Sequence, residues 1–418
     1  MHLIKLTLLL TAFFLAVQIF PVALAAEPLK PIPASVTVKF PQGTATPSEV
    51  CGECHKAIYR EYAFGFGDDG HVRDVATTTS GGRSISHPSN VSSMATAHAM
   101  SGTDPFPRHA REDEASGTSC NVCHFPEAFN LPDLNVSEIF KPKPRSKDTE
   151  TVGLTCASCH LTPDGKIRGP YNLRAPHENS PDVTMKTSVM CAYCHSLGKR
   201  IAGKQTQTFL EWRDDFWKQG LGSQNCQDCH MPRTNRKLAE EYDVPDRVAA
   251  RHLWTGGHSL QRLQNALNLV TVQPDKGSPK FEFHVINIGA GHSVPTGSNR
   301  RAVYLQVEAL NPKGEVVAGK SWTFAPSYGS RPDDKAFIEE DRKLPDAKAA
   351  MQADAQGPHE SIIRAGEERI MSWSPALKPG SYTVQARLVH DLNRYNDPTA
   401  TGDQTLFKTT SLAVSVAK

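Results

Sequence analysis

Past its first 25 residues the chain has no apolar run approaching the roughly 20 residues of a membrane span. It has no charge excess either, since 46 Lys plus Arg stand against 44 Asp plus Glu. A basic nucleic-acid-binding face is therefore not expected. No cysteine lies beyond Cys229, and none of the ten falls outside one repeated pattern. That leaves no thiol for a structural disulfide or for a lone reactive site. The exception to the missing apolar runs is the N-terminus, where Lys5 precedes an apolar stretch from Leu6 to about Phe20 and Ala23-Leu24-Ala25 supplies a small-x-small cleavage pattern. Residues 1–25 are read as a signal peptide, with the mature chain starting near Ala26 or Glu27. The absence of a cysteine after that site argues against a lipid anchor, and an uncleaved anchor helix is the competing reading. Export to the periplasm or the cell surface is the expectation.

What is present is five copies of Cys-x-x-Cys-His. They are Cys51/Cys54/His55, Cys120/Cys123/His124, Cys156/Cys159/His160, Cys191/Cys194/His195 and Cys226/Cys229/His230. One copy in a cytosolic protein would be ambiguous with a zinc or thioredoxin-like site. Five copies that use every cysteine, in an exported chain, point to covalent c-type haem. Two cysteines flanking a two-residue spacer can add across the two vinyl groups of one haem. The next residue, histidine, is then forced under the iron as proximal ligand. Five haems are expected, with iron as the metal. Their propionates add about ten carboxylates, only partly offset by the irons, so the holoprotein is expected to be mildly acidic.

The first cysteines of the copies are at 51, 120, 156, 191 and 226, so the last four recur at intervals of 35 or 36. Between Cys51 and about Val270 regular periodicity is scarce and Gly, Pro, Asn and Asp abound. Haems can supply the core there, so long loops do not argue against folding. Two helices are expected, both packed on haem faces. Thr208 can cap one in which Phe209, Trp212, Phe216 and Trp217 share a face and Gly220 ends it; Ser259 can cap another carrying Leu260, Leu263 and Leu267. Beyond about Val270 period-two alternation takes over. Phe281, Phe283 and Val285 alternate before Ile286 and Ile288 shift the phase. Val303, Leu305, Val307 and Ala309 follow, then the turn 311–314, then Tyr382, Val384, Ala386 and Leu388, and finally Leu412, Val414 and Val416. A long polar loop is expected over 331–358. The fold class is therefore mixed: a loop- and helix-rich, haem-organised cytochrome domain over 26–272 and a β-sandwich-like domain over 273–418.

The sixth ligand of each iron decides function. A second histidine or a methionine leaves a haem able only to transfer electrons, whereas an open position permits catalysis. Eleven histidines lie outside the repeats and the leader. Five stand in small-residue, glycine or proline contexts that let a ring approach a porphyrin: His98, His177, His252, His258 and His292. His109, His71 and His87 rank lower, His284 alternates on a strand, and His359 and His390 read as structural. The methionines and the tyrosines near the repeats (Tyr59, Tyr62, Tyr171, Tyr193) read as packing.

The segments around His98, His177 to Cys191, Cys226 to Pro232, and His252 to His258 resemble a superfamily of multihaem c-type cytochromes. It includes the tetrahaem carriers of ammonia oxidisers and, more distantly, hydroxylamine oxidoreductase. The Gly-x-Gly-His-x-x-Pro-Thr-Gly run from Gly289 to Gly297, followed by strands, is similar to larger multihaem cytochromes of metal-reducing bacteria. The resemblance spans most of residues 45–300. It implies closely stacked haem pairs, mostly with two histidine ligands, and makes the five singled-out histidines the distal ligands. Electron transfer with redox partner proteins, such as other cytochromes or quinol-linked complexes, is the leading reading. An oxidoreductase acting on a small nitrogen or sulfur compound at one five-coordinate haem is the alternative. Pentahaem nitrite reductases use a Cys-x-x-Cys-Lys catalytic site, and all five repeats here end in histidine. A subunit of a conductive filament, by self-assembly, is the third.

Overall fold

The computed structural model describes residues 28–34, 48–64, 154–162, 164–195, 208–257, 259–297, 301–325, 362–392 and 404–417. The leader, the second repeat (Cys120, Cys123, His124), His98, His258, the loop at 331–358 and His71, His87, His109 and His359 lie outside the described residues.

Up to residue 257 the elements are short. The helices are α1 (Ser48–Gly52), α2 (Lys56–Phe64), α3 (Cys156–His160), α4 (Val189–His195), α5 (Thr208–Glu211) and α6 (Cys226–His230); α7 (Leu260–Ala266) follows the region. The strands there are β1 (Ile167–Gly169), β2 (Asn179–Pro181), β3 (Arg233–Arg236) and β4 (Arg247–Ala250). β1 and β2 pair in parallel, and β3 and β4 form an antiparallel hairpin. α5 does not continue as the regular helix expected of 208–217. It passes into a π-helical turn over Trp212–Trp217, in which Lys218 N–H donates to the Arg213 carbonyl. The wider turn brings residues five apart into register. Trp212 and Trp217 consequently stack at 6.2 Å, and Trp217 is left 53 % exposed rather than sharing the buried face of Phe209. Gly220, at φ +70°, ends the segment in the left-handed region, as expected.

The remaining strands are β5 (Leu267–Val272), β6 (Phe281–Asn287), β7 (Ala302–Leu310), β8 (Val316–Phe324), β9 (Glu368–Trp373), β10 (Gly380–Asp391) and β11 (Gln404–Val416). They form two antiparallel sheets, of order β11-β10-β7-β8 and β5-β6-β9. Period-two alternation explains which faces meet: Phe281, Phe283 and Val285 of one sheet and Val303, Leu305, Val384, Ala386 and Leu388 of the other are all fully buried in one core. Each Phe, Leu or Val so buried contributes about 1.5–3 kcal/mol.

Two sequence expectations change here. The boundary expected near residue 272 falls at the end of β5, which is already paired with β6. Ser259 does cap α7, accepting from Arg262 N–H. Leu263 and Leu267 are buried in the β core while Leu260 is 42 % exposed, and Arg262 on the same helix donates to the Cys229 carbonyl of the fifth repeat. The phase of β6 also does not shift. Ile286 and Ile288 point away from the core, and Asn287 takes the next inward position at 1 % exposure.

Candidate metal centres

Each described repeat sits at a helical turn, which places cysteines three apart on one face and the histidine beside them. α3, α4 and α6 end on His160, His195 and His230; in the first repeat α1 ends at Gly52 and α2 resumes at Lys56. Capping fixes where two of these helices begin. Thr155 caps α3 in a reciprocal box with Ser158, and Asn225 does the same for α6 with Asp228. The repeats are also joined two by two through a matching device. Cys156 N–H donates to Ser48 Oγ (3.2 Å), and Cys226 N–H donates to Ser188 Oγ (3.1 Å). Ser48 lies three residues before Cys51 and Ser188 three before Cys191. The first cysteines of the joined repeats are in side-chain contact, Cys51 with Cys156 and Cys191 with Cys226. Couples of repeats, first with third and fourth with fifth, are the local unit.

The half-buried Cys54 thiol donates to the Tyr242 hydroxyl at 3.7 Å. That bond is also the first cause of the raised pKa of Tyr242. The physical reason lies in the proton: a free thiol is a weak donor and takes the nearest oxygen, whereas a thioether sulfur can only accept. Attachment of a haem at Cys54 would reverse the bond, leaving the Tyr242 O–H as the donor.

The histidines are tautomerically set for metal. Nδ1 of His55 hydrogen-bonds the Leu238 carbonyl (2.8 Å), that of His160 the Arg168 carbonyl (2.9 Å), and that of His230 the Thr255 carbonyl. A carbonyl only accepts, so Nδ1 carries the proton and Nε2 keeps a free lone pair. His292 makes the same bond to the Ser293 carbonyl at 2.9 Å.

Two pairs of rings face each other. His160 and His252 have centroids 6.0 Å apart with planes at 41°; His230 and His292 are 6.1 Å apart at 15°. A metal bound to two opposed imidazole nitrogens at about 2.0 Å each, with ring centres about 1.1 Å further out, separates the centroids by roughly 6.2 Å. Each pair therefore has the centroid spacing that two imidazole ligands of one iron would need. Burial favours the neutral rings that ligation needs. It pushes His252 down to about 3, helped by His160 and Arg236, and His230 down to about 4, helped by His292. His160, His195 and His177 are lowered as well, chiefly by burial.

Of the five singled-out histidines, His252 and His292 thus meet repeat histidines ring to ring. His177 lies near enough to His55 for each charge to oppose the other, and His195 stands in the same relation to His292. His390 is buried, and Gly257 packs so closely on its ring that a Cβ there would come within 2.9 Å of it. His284 is not simply solvent-facing, since its Nδ1 meets Glu368 across β6 and β9 at 2.7 Å.

Several supporting residues escaped sequence reasoning. Asn287 amide N–H groups donate to the carbonyls of His292 (2.8 Å) and Ile363 (3.1 Å), and its oxygen accepts from Ala290 N–H. Glu211 accepts from Ser293 N–H and Thr296 Oγ1 (2.6 Å). The turn bearing His292 is thus gripped from both regions. Gly289 is required by space alone, since a Cβ would lie 1.9 Å from the Asn265 carbonyl oxygen. A legible signal existed for Asn287, a polar residue at an inward position of an alternating strand. Glu61 carried none.

A family model described as the Geobacter CxxxxCH...CXXCH motif matches residues 190–230, which hold the fourth and fifth repeats. The first of these is Cys191-x-x-Cys194-His195, two residues shorter than the model's first element. No curated protein matches. Among solved structures, a penta-heme cytochrome c552 from Thermochromatium tepidum is 17 % identical, covers 88 % of this chain and 99 % of its own, and has a TM-score of 0.53. The C-terminal domain of wzt (11 % identical, 37 % of this chain, 75 % of its own, TM-score 0.21) is too distant to argue from. So is a glycosyl hydrolase family 2 member from Bacteroides cellulosilyticus DSM 14838 (14 % identical, 37 % and 15 %, TM-score 0.17). The fold is similar to that of the penta-heme cytochrome, and the Cys-x-x-Cys-His motifs within 190–230 match the multihaem motif model.

Proposed function

We propose that the chain is an exported electron carrier holding five covalent c-type haems, most of them with two histidine ligands. The observation that carries this reading is the pair of opposed imidazole couples at 6.0 and 6.1 Å. Haem iron held by two imidazoles exchanges one electron and offers no site to a substrate. In this reading His55, His124, His160, His195 and His230 are proximal ligands. His252 serves the centre of His160, His292 serves that of His230, and His177 serves that of His55. His98 and His258, outside the described residues, remain the candidates for the other two centres. The joined repeats, first with third and fourth with fifth, support this reading, since haems attached to joined repeats would lie close enough to favour passage of an electron between them. Redox partner proteins outside the membrane, other cytochromes or quinol-linked complexes, are the proposed donor and acceptor. No helix among the described residues is long and apolar enough to cross a membrane.

The test is spin state and haem count on purified holoprotein. Mass spectrometry should find five haems, one for each Cys-x-x-Cys-His repeat. Electron paramagnetic resonance should find only low-spin ferric signals. A high-spin population that shifts on adding hydroxylamine or sulfite would replace the carrier with an oxidoreductase.

A further inference from the structure

α2 leaves the first repeat and places two successive residues, Glu61 and Tyr62, against a different centre. The Glu61 carboxylate is only 4 % exposed and every lone-pair direction is used. Oε1 accepts from Arg236 Nη1 (2.8 Å) and Arg251 Nε (3.0 Å); Oε2 accepts from Arg236 Nη2 (2.9 Å) and from the backbone N–H of His252 (3.0 Å). Arg236, on β3, also donates to the Ala250 carbonyl at 3.0 Å, tying down the strand that leads to His252. Tyr62 donates to the Leu154 carbonyl, directly before the Thr155 cap of the third repeat. Its ring meets Trp254 edge-on at 6.0 Å, and Trp254 meets the His252 ring edge-on at 5.4 Å. One turn of α2 therefore grips both the His160 side and the His252 side of the same opposed couple.

Stability alone is a weak reason for this arrangement. A buried carboxylate with two guanidiniums costs desolvation that well-packed apolar residues would avoid. A network of this kind is better suited to setting one geometry and one local charge. Arg236 already acts electrostatically on His252, and Glu61 is the only carboxylate bonded to that guanidinium among the described hydrogen bonds.

We propose that Glu61 is a positioning residue for His252 and sets the reduction potential of the third-repeat haem. The proposal rests on the reading that His160 and His252 bind one iron. Reduction adds an electron, so positive neighbours stabilise the reduced form and negative ones the oxidised form. Removing the Glu61 charge leaves two guanidiniums facing the centre, whereas removing a guanidinium shifts the balance the other way.

The experiment is a redox titration of holoprotein variants, followed by optical and paramagnetic resonance spectra. In Glu61→Gln one of the five midpoints rises and one low-spin signal changes shape. Glu61→Asp keeps the charge and returns that midpoint toward the wild-type value. In Arg251→Gln the same midpoint falls. A merely loosened loop would move it in one direction in both variants, and that result overturns the proposal, as does a Glu61→Gln protein with every midpoint unmoved. His252→Ala is the control: it converts one haem to high spin. If all haems stay low-spin in His252→Ala, the ligation reading underneath has failed instead. Should Glu61→Gln not fold, Arg251→Gln decides, because this half-buried residue is one of two arginines on the carboxylate. A fall in one midpoint supports the proposal and no change overturns it.

Discussion

The two regions of this molecule are built on opposite principles. From β5 onward the chain buries its own apolar side chains, and Phe281, Phe283, Leu305 and Leu388 lie at 0 % exposure between two sheets. Before residue 257 the described buried apolar residues are few and scattered: Tyr62, Ala157, Ala192, Phe209 and Leu253. What organises that part is polar and directional. Serine clamps join repeats, histidines bond to carbonyls, and one buried carboxylate holds two arginines. Where the described residues bury so few apolar side chains, a bound group is expected to complete the core, as in metal-dependent domains. The β region has its own core, and it offers its turn at His292 as a prefabricated wall.

The sharpest way to break this contrast is to block attachment at one repeat. Cys156→Ala with Cys159→Ala should yield protein lighter by one haem. Residues 48–257 should become protease-sensitive while fragments of the β region persist, as read by limited proteolysis and mass spectrometry. Acid should divide the regions next. His252 and His230 are neutral in the fold, held down to about 3 and 4, against an ordinary value of about 6.5. Between those values the unfolded chain binds protons that the native one does not. Stability is therefore complete above about pH 6.5 and falls as pH drops toward 4. High-spin haem should appear in that window before the tryptophan fluorescence of the β core changes.

Smaller effects should separate the regions in the other direction. Leu305→Ala, at a fully buried position in β7, should cost about 2–5 kcal/mol in denaturant unfolding of the β region. It should leave the haem spectra unmoved. Asn287→Ala sits where the regions meet. It removes the donors to His292 and Ile363 and should cost about 1–3 kcal/mol. Unlike Leu305→Ala, it should also broaden one low-spin signal.

Much of the β region was legible because alternation is a local property. Val303, Leu305, Val307 and Ala309 read as an inward row and lie inward. The misreadings came where a residue has a choice of neighbour. Ile286 and Ile288 looked like a change of phase, yet Asn287 points inward because its amide is needed by two carbonyls of neighbouring turns. The π-helical turn at Trp212–Trp217 has no signature in residue spacing, since the same residues satisfy an ordinary helix until their neighbours are known.

By itself the sequence determined the attachment chemistry. Cys-x-x-Cys-His is complete within five residues, and five copies account for every cysteine. Which histidines come ring to ring was decided only in three dimensions. His160 faces His252 and His230 faces His292 because a hairpin, a glycine turn and the Glu61 carboxylate hold distant segments at one spacing. A covalent anchor needs only its neighbours in the chain, whereas an opposed ligand needs the fold to bring it there.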